Sequence, residues 1–241
     1  MPASHFILQI RWRSRRGNEA PFSPFESVAR AGGDSTRQSD ATRRLTPSTL
    51  PMLDPSGPFA DNPRVMSHAT RKEIENAIRN VPDFPKPGIQ FKDITPVLAD
   101  GRLLDSAVEH LVSTVRDQRL DKVVGIEARG FIFGAAAAAR LGAGFVPVRK
   151  KGKLPWTTHE ESYDLEYGSA TVAVHVDAVK PGERVLLVDD LLATGGTAGA
   201  AVKLLERLGA EIVGIRFLIE LTFLNGRVRL GKHPVESLIQ Y

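Results

Sequence analysis

Apolar and polar positions divide the 241-residue chain into two parts that meet at Met66. Before that residue the apolar positions show no sustained period of 3.6 or 2, whereas after it helical and strand-like periods alternate. Strands that alternate with helices are typical of a domain built around a mostly parallel sheet, with sites at the carboxyl ends of the strands. The pattern therefore predicts an α/β domain over 67–241.

The elements of this domain follow from capping residues, apolar spacing and β-branched runs. Helices are predicted over 67–81, 131–142 and 196–210. Strands are predicted at 123–126, 145–150, 169–179, 182–190, 211–221 and 235–241. The segment 150–168, called the lid segment below, is polar and shows no clear strand or helix. Because loops of that length are usually functional or disordered, we expect it to cover a site.

The first 66 residues form a separate region, rich in Ser, Pro, Gly, Ala and Arg, with nine Arg against six acidic residues. Such a composition buries too little apolar surface to offset the entropy of ordering. We therefore predict that 1–66 is a disordered extension of the domain at 67–241. Two other interpretations stay open: an organellar targeting segment with an Arg- and Ser-bearing start, and residues upstream of a true start at Met66.

Charge and cysteine content exclude several classes of function. The formal net charge is +4, and from Ser67 onward 23 basic residues face 22 acidic ones, so we predict no nucleic-acid surface. No apolar run approaches the roughly 18 residues that a membrane helix needs. The chain contains no Cys, which excludes disulfides, thiolate metal sites and cysteine nucleophiles and favours a cytoplasmic location.

The strongest chemical signal is VLLVDDLLATGGT at 185–197. Where a parallel strand leads into a helix, the first amides of the helix are unpaired, and with the helix dipole they favour an anion. Glycines let the backbone approach that anion closely, and threonine hydroxyls add donors. The GxxxxGK[ST] and GxGxxG patterns are both absent from this loop. We predict a phosphate cradle formed by Ala193, Thr194, Gly195, Gly196 and Thr197.

Two adjacent acids, Asp189 and Asp190, precede the cradle. Neighbouring carboxylates repel each other, and a helix-capping role would explain only one of them. Carboxylates beside a phosphate suit the two vicinal hydroxyls of a ribose, or a nearby Mg²⁺ ion. The stretch therefore predicts a site for a ribose 5-phosphate.

This stretch resembles the phosphoribosyl-pyrophosphate (PRPP) signature of the type I phosphoribosyltransferases. Four further stretches resemble the adenine phosphoribosyltransferase family in the same order: PDFPKPGIQFKDITPVL from Pro82, EARGFIFG from Glu127, VPVRKKGKLP from Val146 and YDLEYG from Tyr163. The resemblance covers Ser67–Tyr241. It implies the type I phosphoribosyltransferase fold, with a small N-terminal hood and a flexible lid loop, and transfer of the 5-phosphoribosyl group of PRPP to adenine N9 in purine salvage.

The resemblance also implies roles for residues outside the cradle. Phe91 would stack on adenine, while backbone groups of Gln90 and Lys92 would read its hydrogen-bonding edge. Arg129, after a non-proline cis peptide, would bind the pyrophosphate and act in catalysis. Glu166 would be catalytic, and two roles stay open for it: accepting the proton that leaves adenine, or stabilising positive charge on the ribosyl carbon.

The basic start of the lid segment is a further part of the implied site. Arg149, Lys150 and Lys153 would reach the pyrophosphate, in related enzymes that of the neighbouring subunit, so a homodimer is implied. Mg²⁺ would be bound mainly through PRPP.

Two alternatives to this function stay open. The base could be hypoxanthine, guanine or another purine, since only the hood and the lid segment indicate adenine. The chain could instead be a regulator that keeps the PRPP site as a sensor and binds DNA through an added domain. That version needs a helix-turn-helix, and 1–66 lacks the apolar periodicity to build one.

Overall fold

The computed structural model describes residues 67–164 and 168–241, so the predicted disordered extension and Glu166 lie outside the described residues. In chain order the helices are α1 Arg71–Ala77, α2 Thr95–Ala99, α3 Gly101–Val112, α4 Gly130–Leu141 and α5 Gly196–Arg207. The strands are β1 Arg79–Pro82, β2 Gln90–Asp93, β3 Lys122–Ile126, β4 Gly144–Lys150, β5 Thr158–Asp164, β6 Ser169–His175, β7 Arg184–Leu192, β8 Glu211–Glu220 and β9 Val235–Gln240. Each described helix is too short or too polar to cross a lipid bilayer.

Seven of these strands form one sheet in the order β5-β6-β4-β3-β7-β8-β9. The pairs from β4 through β3, β7 and β8 to β9 are parallel, whereas β6 pairs antiparallel with both β4 and β5. The predicted mostly parallel α/β sheet is therefore confirmed. The remaining strands, β1 and β2, form a separate antiparallel hairpin, which we call the hood hairpin.

Apolar side chains cover both faces of the sheet. Val185 and Leu187 point into a core shared with α5, while Leu186 and Val188 point into a second core shared with α1, α3 and α4. All four side chains are fully buried, which explains why β7 reads as a continuous apolar run rather than an alternating one. After Arg184 at its start, the next polar residues of β7 are Asp189 and Asp190, which lie towards its carboxyl end, near the loops into α4 and α5.

Two predicted boundaries and the prediction for the lid segment need correction. The helix predicted over 67–81 spans only 71–77, because a capping box at Thr70 sets its start and Val81 and its neighbours pair with β2 in the hood hairpin. The strand predicted over 169–179 ends at His175. The lid segment contains a strand that its polar pattern did not indicate, since β5 pairs with β6 along its whole length. Polar residues suit a strand at the edge of a sheet, where one side lacks a partner.

Two helices, α2 and α3, were not predicted, and α3 is the longer of the two. Its capping signal is present, because the Asp100 carboxylate accepts hydrogen bonds from the amides of Arg102 and Leu103. Its apolar residues recur at helical spacing and bury one face against the sheet.

Candidate active site

The turn from β7 into α5 has the shape predicted for a phosphate cradle. Gly195 has φ of 76°, and α5 begins at the next residue, so the first-turn amides are directed at the end of β7. A Cβ on Gly195 would lie 2.2 Å from the carbonyl oxygen of Gly226. Only glycine therefore fits at this position, on grounds of both backbone conformation and space.

A cavity of about 300 Å³ opens onto this turn. All five predicted cradle residues line it, together with Asp189. Two further lining residues, Tyr163 from β5 and the exposed Arg229, were missed by the sequence analysis. Arg229 brings a positive charge to the lining of the cavity.

The two adjacent acids have different surroundings. Asp190 is buried and pairs with Arg129, whose Nε lies 2.5 Å from the carboxylate Oδ2. Asp189 lies on the cavity wall, and its Oδ1 accepts a hydrogen bond of 2.9 Å from the amide of Asp190. Burial raises the pKa of Asp189 well above its ordinary value, and repulsion from the Asp190 carboxylate adds to this effect.

The loop between β3 and α4 lies beside the two adjacent acids at the end of β7. Its Glu127–Ala128 peptide is cis, as the resemblance implies before Arg129. A Cβ on Gly130 would lie 2.5 Å from the Asp189 carboxylate, so glycine allows α4 to start directly against the acids. The Arg129 guanidinium also lies 5.8 Å from the centroid of the Phe91 ring. Arg129 therefore stands between the acids and the hood hairpin.

The basic residues at the start of the lid segment are arranged around Glu127. Its carboxylate accepts hydrogen bonds from the Arg149 side chain at 3.1 and 3.3 Å and from the amide of Lys150 at 3.1 Å. Burial alone would raise the pKa of Glu127, but these donors hold it below its ordinary value. The Lys153 carbonyl accepts a hydrogen bond from Arg149. The predicted pyrophosphate ligands are thus grouped, with Arg149 engaged by an acid.

The hood hairpin borders a second cavity, of about 340 Å³ and mainly apolar. Gln90 and Lys92 line it, while Phe91 between them packs edge-to-face on Phe84 with ring centroids 5.1 Å apart. Other lining residues were not predicted and come from the segment after β8 and from the residue after β9: Leu221, Phe223, Leu224 and Tyr241. The predicted base-binding segment therefore faces an apolar space of suitable character for an aromatic base.

Family comparison agrees with this geometry. The family described as Phosphoribosyl transferase domain matches residues 97–232. An adenine phosphoribosyltransferase of Chloroflexus aurantiacus is 54% identical over 172 residues, which cover 71% of this chain and 99% of that relative.

Solved structures show the same relationship. The adenine phosphoribosyltransferase of Rhodothermus marinus is 57% identical with a TM-score of 0.68, covering 71% of this chain and 98% of its own. That of Saccharomyces cerevisiae, complexed with D-2,5-dideoxy-2,5-imino-altritol 1,6-bisphosphate and adenine, is 40% identical with a TM-score of 0.67. The match covers 70% of this chain and 97% of the yeast chain.

Proposed function

This chain belongs to the adenine phosphoribosyltransferase family, and we propose that it performs the reaction of that family through the site described above. The reaction transfers the 5-phosphoribosyl group of PRPP to N9 of adenine and gives AMP and pyrophosphate. It is a pentosyl transfer that salvages a purine base. The predicted fold and function are both confirmed by the family relationship.

One observation carries the proposal at the level of residues. Ala193, the first residue of the cradle, lines both the 300 Å³ cavity beside the acids and the 340 Å³ cavity beside the hood hairpin. A ribose phosphate in the first cavity and a planar base in the second would therefore be neighbours. This adjacency is what a transfer between them requires, because reacting atoms must approach within about 3–3.5 Å.

We assign PRPP to the cavity beside the acids. Its 5-phosphate would accept hydrogen bonds from the first-turn amides of α5 and from the hydroxyls of Thr194 and Thr197. The ribose hydroxyls would donate to Asp189 and Asp190. Its pyrophosphate would meet Arg129, and Arg149, Lys150 and Lys153 would supply further positive charge. Because Arg129 is paired with Asp190 here, PRPP must compete with that carboxylate for the guanidinium.

We assign adenine to the cavity beside the hood hairpin. Stacking of an aromatic side chain on a base contributes about 1–3 kcal/mol, and Phe91 would provide it after moving from its edge-to-face contact with Phe84. Backbone groups of Gln90 and Lys92 would read the edge of the base. The adenine complex of the yeast relative supports this choice of base.

In the reaction, a C–N bond forms between adenine N9 and the anomeric carbon while the C–O bond to pyrophosphate breaks. The electron pair of the broken bond leaves with pyrophosphate, and N9 loses its proton. Positive charge develops on the ribosyl carbon in an oxocarbenium-like transition state, which the neighbouring carboxylates would stabilise. Glu166 would either accept the proton or stabilise that carbon, and both roles stay open.

The residues present suit a Mg²⁺ ion that arrives with its substrate. Among the described residues, no group of three or more His, Cys, Asp or Glu side chains is placed to hold a metal. Of the two acids at the site, Asp190 is already paired with Arg129. We therefore propose that PRPP supplies most of the Mg²⁺ ligands, with Asp189 and Asp190 nearby. The ion would neutralise charge on the departing pyrophosphate.

We further propose a cytoplasmic homodimer in which the lid segment reaches the pyrophosphate site of the neighbouring subunit. The exposed Lys153 supports this arrangement, since it makes no ion pair with an acid among the described residues, whereas Lys151 pairs with Glu160 at 2.7 Å.

The test is pyrophosphate release by the purified 241-residue chain, with PRPP and Mg²⁺ and with adenine, hypoxanthine, guanine and xanthine offered in parallel. Release with adenine alone is expected. Release with another base would keep the PRPP site and contradict the assignment of the second cavity to adenine. No release with any base, despite measurable PRPP binding, would favour a PRPP sensor.

A further inference from the structure

Tyr163 makes a contact with the cradle that the reaction described above does not use. Its hydroxyl oxygen accepts a hydrogen bond of 2.9 Å from the Thr197 hydroxyl. Its ring lies directly against the start of α5, because a Cβ on Gly196 would be only 2.9 Å from the ring Cδ2. Tyr163 therefore touches two of the five residues assigned to the 5-phosphate.

Further contacts hold the strand of Tyr163 along α5. The Glu161 carboxylate pairs with Lys203 at 3.1 Å and with Arg207 at 2.9 Å. Arg207 also donates to the backbone carbonyl of Glu160 at 3.0 Å. β5 is thus docked on the helix that carries the cradle, and Tyr163 is the docking contact that reaches the cradle itself.

Tyr163 also stands between two parts of the site. It lines the cradle cavity and a neighbouring cavity of about 230 Å³ whose walls include Glu127 and Lys150. From this position Tyr163 can set the orientation of the Thr197 hydroxyl without contacting the reacting atoms.

We propose that Tyr163 is a positioning residue that orients the Thr197 hydroxyl toward the 5-phosphate of PRPP. This inference rests on the function proposed above. A hydroxyl has one donor and can accept two hydrogen bonds, whereas a phosphate dianion only accepts. When PRPP binds, Thr197 donates to the phosphate, and its oxygen accepts from the Tyr163 hydroxyl instead. The hydrogen bond between them is kept and its direction reverses.

The expected loss of PRPP affinity follows from the one group that a change of Tyr163 to phenylalanine removes. Tyr163→Phe keeps the ring on Gly196 and loses only the donor that fixes the Thr197 hydroxyl. Since one hydrogen bond typically contributes about 1 kcal/mol, the Kd for PRPP is expected to rise about fivefold. The KM for adenine is expected to stay unchanged, because the base lies in the other cavity.

A double-mutant cycle in the full chain tests the proposal, with the Kd for PRPP from calorimetry and the KM of each substrate as readouts. Tyr163→Phe should weaken PRPP binding in the parent chain and have no further effect when Thr197→Val is already present. Ser162→Ala is the matched control, because its hydroxyl contacts Thr171 on β6 rather than α5. It should leave both constants unchanged.

Other results of this cycle would contradict either the role of Tyr163 or the proposed function. Equal effects of Tyr163→Phe with and without Thr197→Val would overturn the proposal, as would no effect of Tyr163→Phe in the parent chain. A rise in the KM of adenine equal to that of PRPP would also overturn it, since it would indicate general loosening. A parent chain that binds PRPP without turnover would contradict the proposed function, while calorimetry would still decide the role of Tyr163.

Discussion

The Arg129 guanidinium lies against the Asp190 carboxylate, with Nε and Oδ2 2.5 Å apart, although the two residues are 61 positions apart in the chain. The contact joins the end of β7 to the loop after β3. It also makes the paired acids unequal. Asp190 is paired with a cation, whereas burial and the neighbouring Asp190 carboxylate raise the pKa of Asp189. In the proposed mechanism, PRPP binding exchanges this internal ion pair for contacts with the substrate.

The paired acids are expected to be required for activity but not for folding. In the variant Asp189→Asn with Asp190→Asn, both ribose-binding carboxylates are lost, and most pyrophosphate release with adenine should disappear. The fold should persist, because asparagine has nearly the same shape. Steady-state turnover and the melting temperature measure the two effects. Unchanged turnover would contradict the assignment of these acids to the ribose.

The single variant Asp189→Asn provides an internal control for this prediction. A carboxyl whose folded pKa is raised costs stability when charged, so its stability contribution improves as pH falls. Asparagine removes that charge while its Oδ1 can still accept from the Asp190 amide. At neutral pH, Asp189→Asn should therefore leave the melting temperature equal or higher while activity falls.

Gly195→Ala is expected to damage the cradle beyond the ordinary cost of a left-handed residue. Gly182 provides a matched control, because it also has positive φ, 83°, but a Cβ there would meet nothing within 4 Å. Gly182→Ala should cost about 1–2 kcal/mol of unfolding free energy. Gly195→Ala should cost more and raise the KM for PRPP at least tenfold. Equal stability losses with an unchanged KM would show that the turn adapts.

The ionised carboxylate of Glu220 is expected to make the stability of the fold depend on pH. Its buried carboxylate accepts from Arg227 at 2.6 and 2.7 Å and thereby holds the turn that contains Gly226 against the cradle. Hydrogen bonds from Arg227 keep the pKa of Glu220 below its ordinary value of 4.5. A lowered carboxyl pKa stabilises the fold above the ordinary value, and this contribution is lost as pH falls through the folded value.

Glu220→Gln should therefore lower the unfolding free energy by about 2 kcal/mol at pH 7, with the difference shrinking below pH 4.5. Urea unfolding at several pH values measures it. Glu211→Gln, at the other end of the same strand, is the control: its pair with Arg184 is more than half exposed on the glutamate side and should contribute little. A difference for Glu220→Gln that stays constant down to pH 3 would contradict this account.

The parts of the site that lie close together in sequence could be predicted from it. Asp189 and the cradle glycines share one strand-to-helix connection, whose geometry depends on local backbone requirements. Tyr163 and Tyr241 could not be predicted, because their contacts with the site depend on strand order in the sheet. β5 was missed for a related reason: its polar residues are held by hydrogen bonds to β6 rather than by an apolar face.

The same distinction explains the shortened first helix. The capping box of Thr70 and Glu73 sets its start, four residues after the predicted start at Ser67. Its end depends on pairing of Val81 with Phe91, a contact between segments ten residues apart that competes with helical propensity. Local signals therefore located the helix, and a nonlocal contact ended it.

A chain that begins at Ser67 is expected to match the full chain in turnover and melting temperature. The predicted cradle, acids and hood residues all lie after Ser67, and the composition of 1–66 predicts no core of its own. Parallel pyrophosphate-release assays and thermal unfolding of the two chains measure this. A large loss in either property would mean that the extension contributes to the folded enzyme.

The final prediction concerns the contact between the hood hairpin and the C-terminal residue. Lys92 Nζ lies 3.5 Å from the centroid of the Tyr241 ring and donates to Asn80 at 2.7 Å. Burial lowers the pKa of Lys92 from its ordinary value. A cation over an aromatic ring contributes about 0.5–2 kcal/mol.

Tyr241→Leu should therefore loosen β2, which carries the proposed adenine-binding residues, and raise the KM for adenine several-fold while leaving the KM for PRPP unchanged. Tyr241→Phe is the matched control, because it keeps the ring beneath the ammonium and should behave like the parent chain. Initial rates with each substrate varied in turn measure both constants. If the leucine and phenylalanine variants behave alike, the ring does not hold the hood hairpin, and Asn80 alone must fix Lys92.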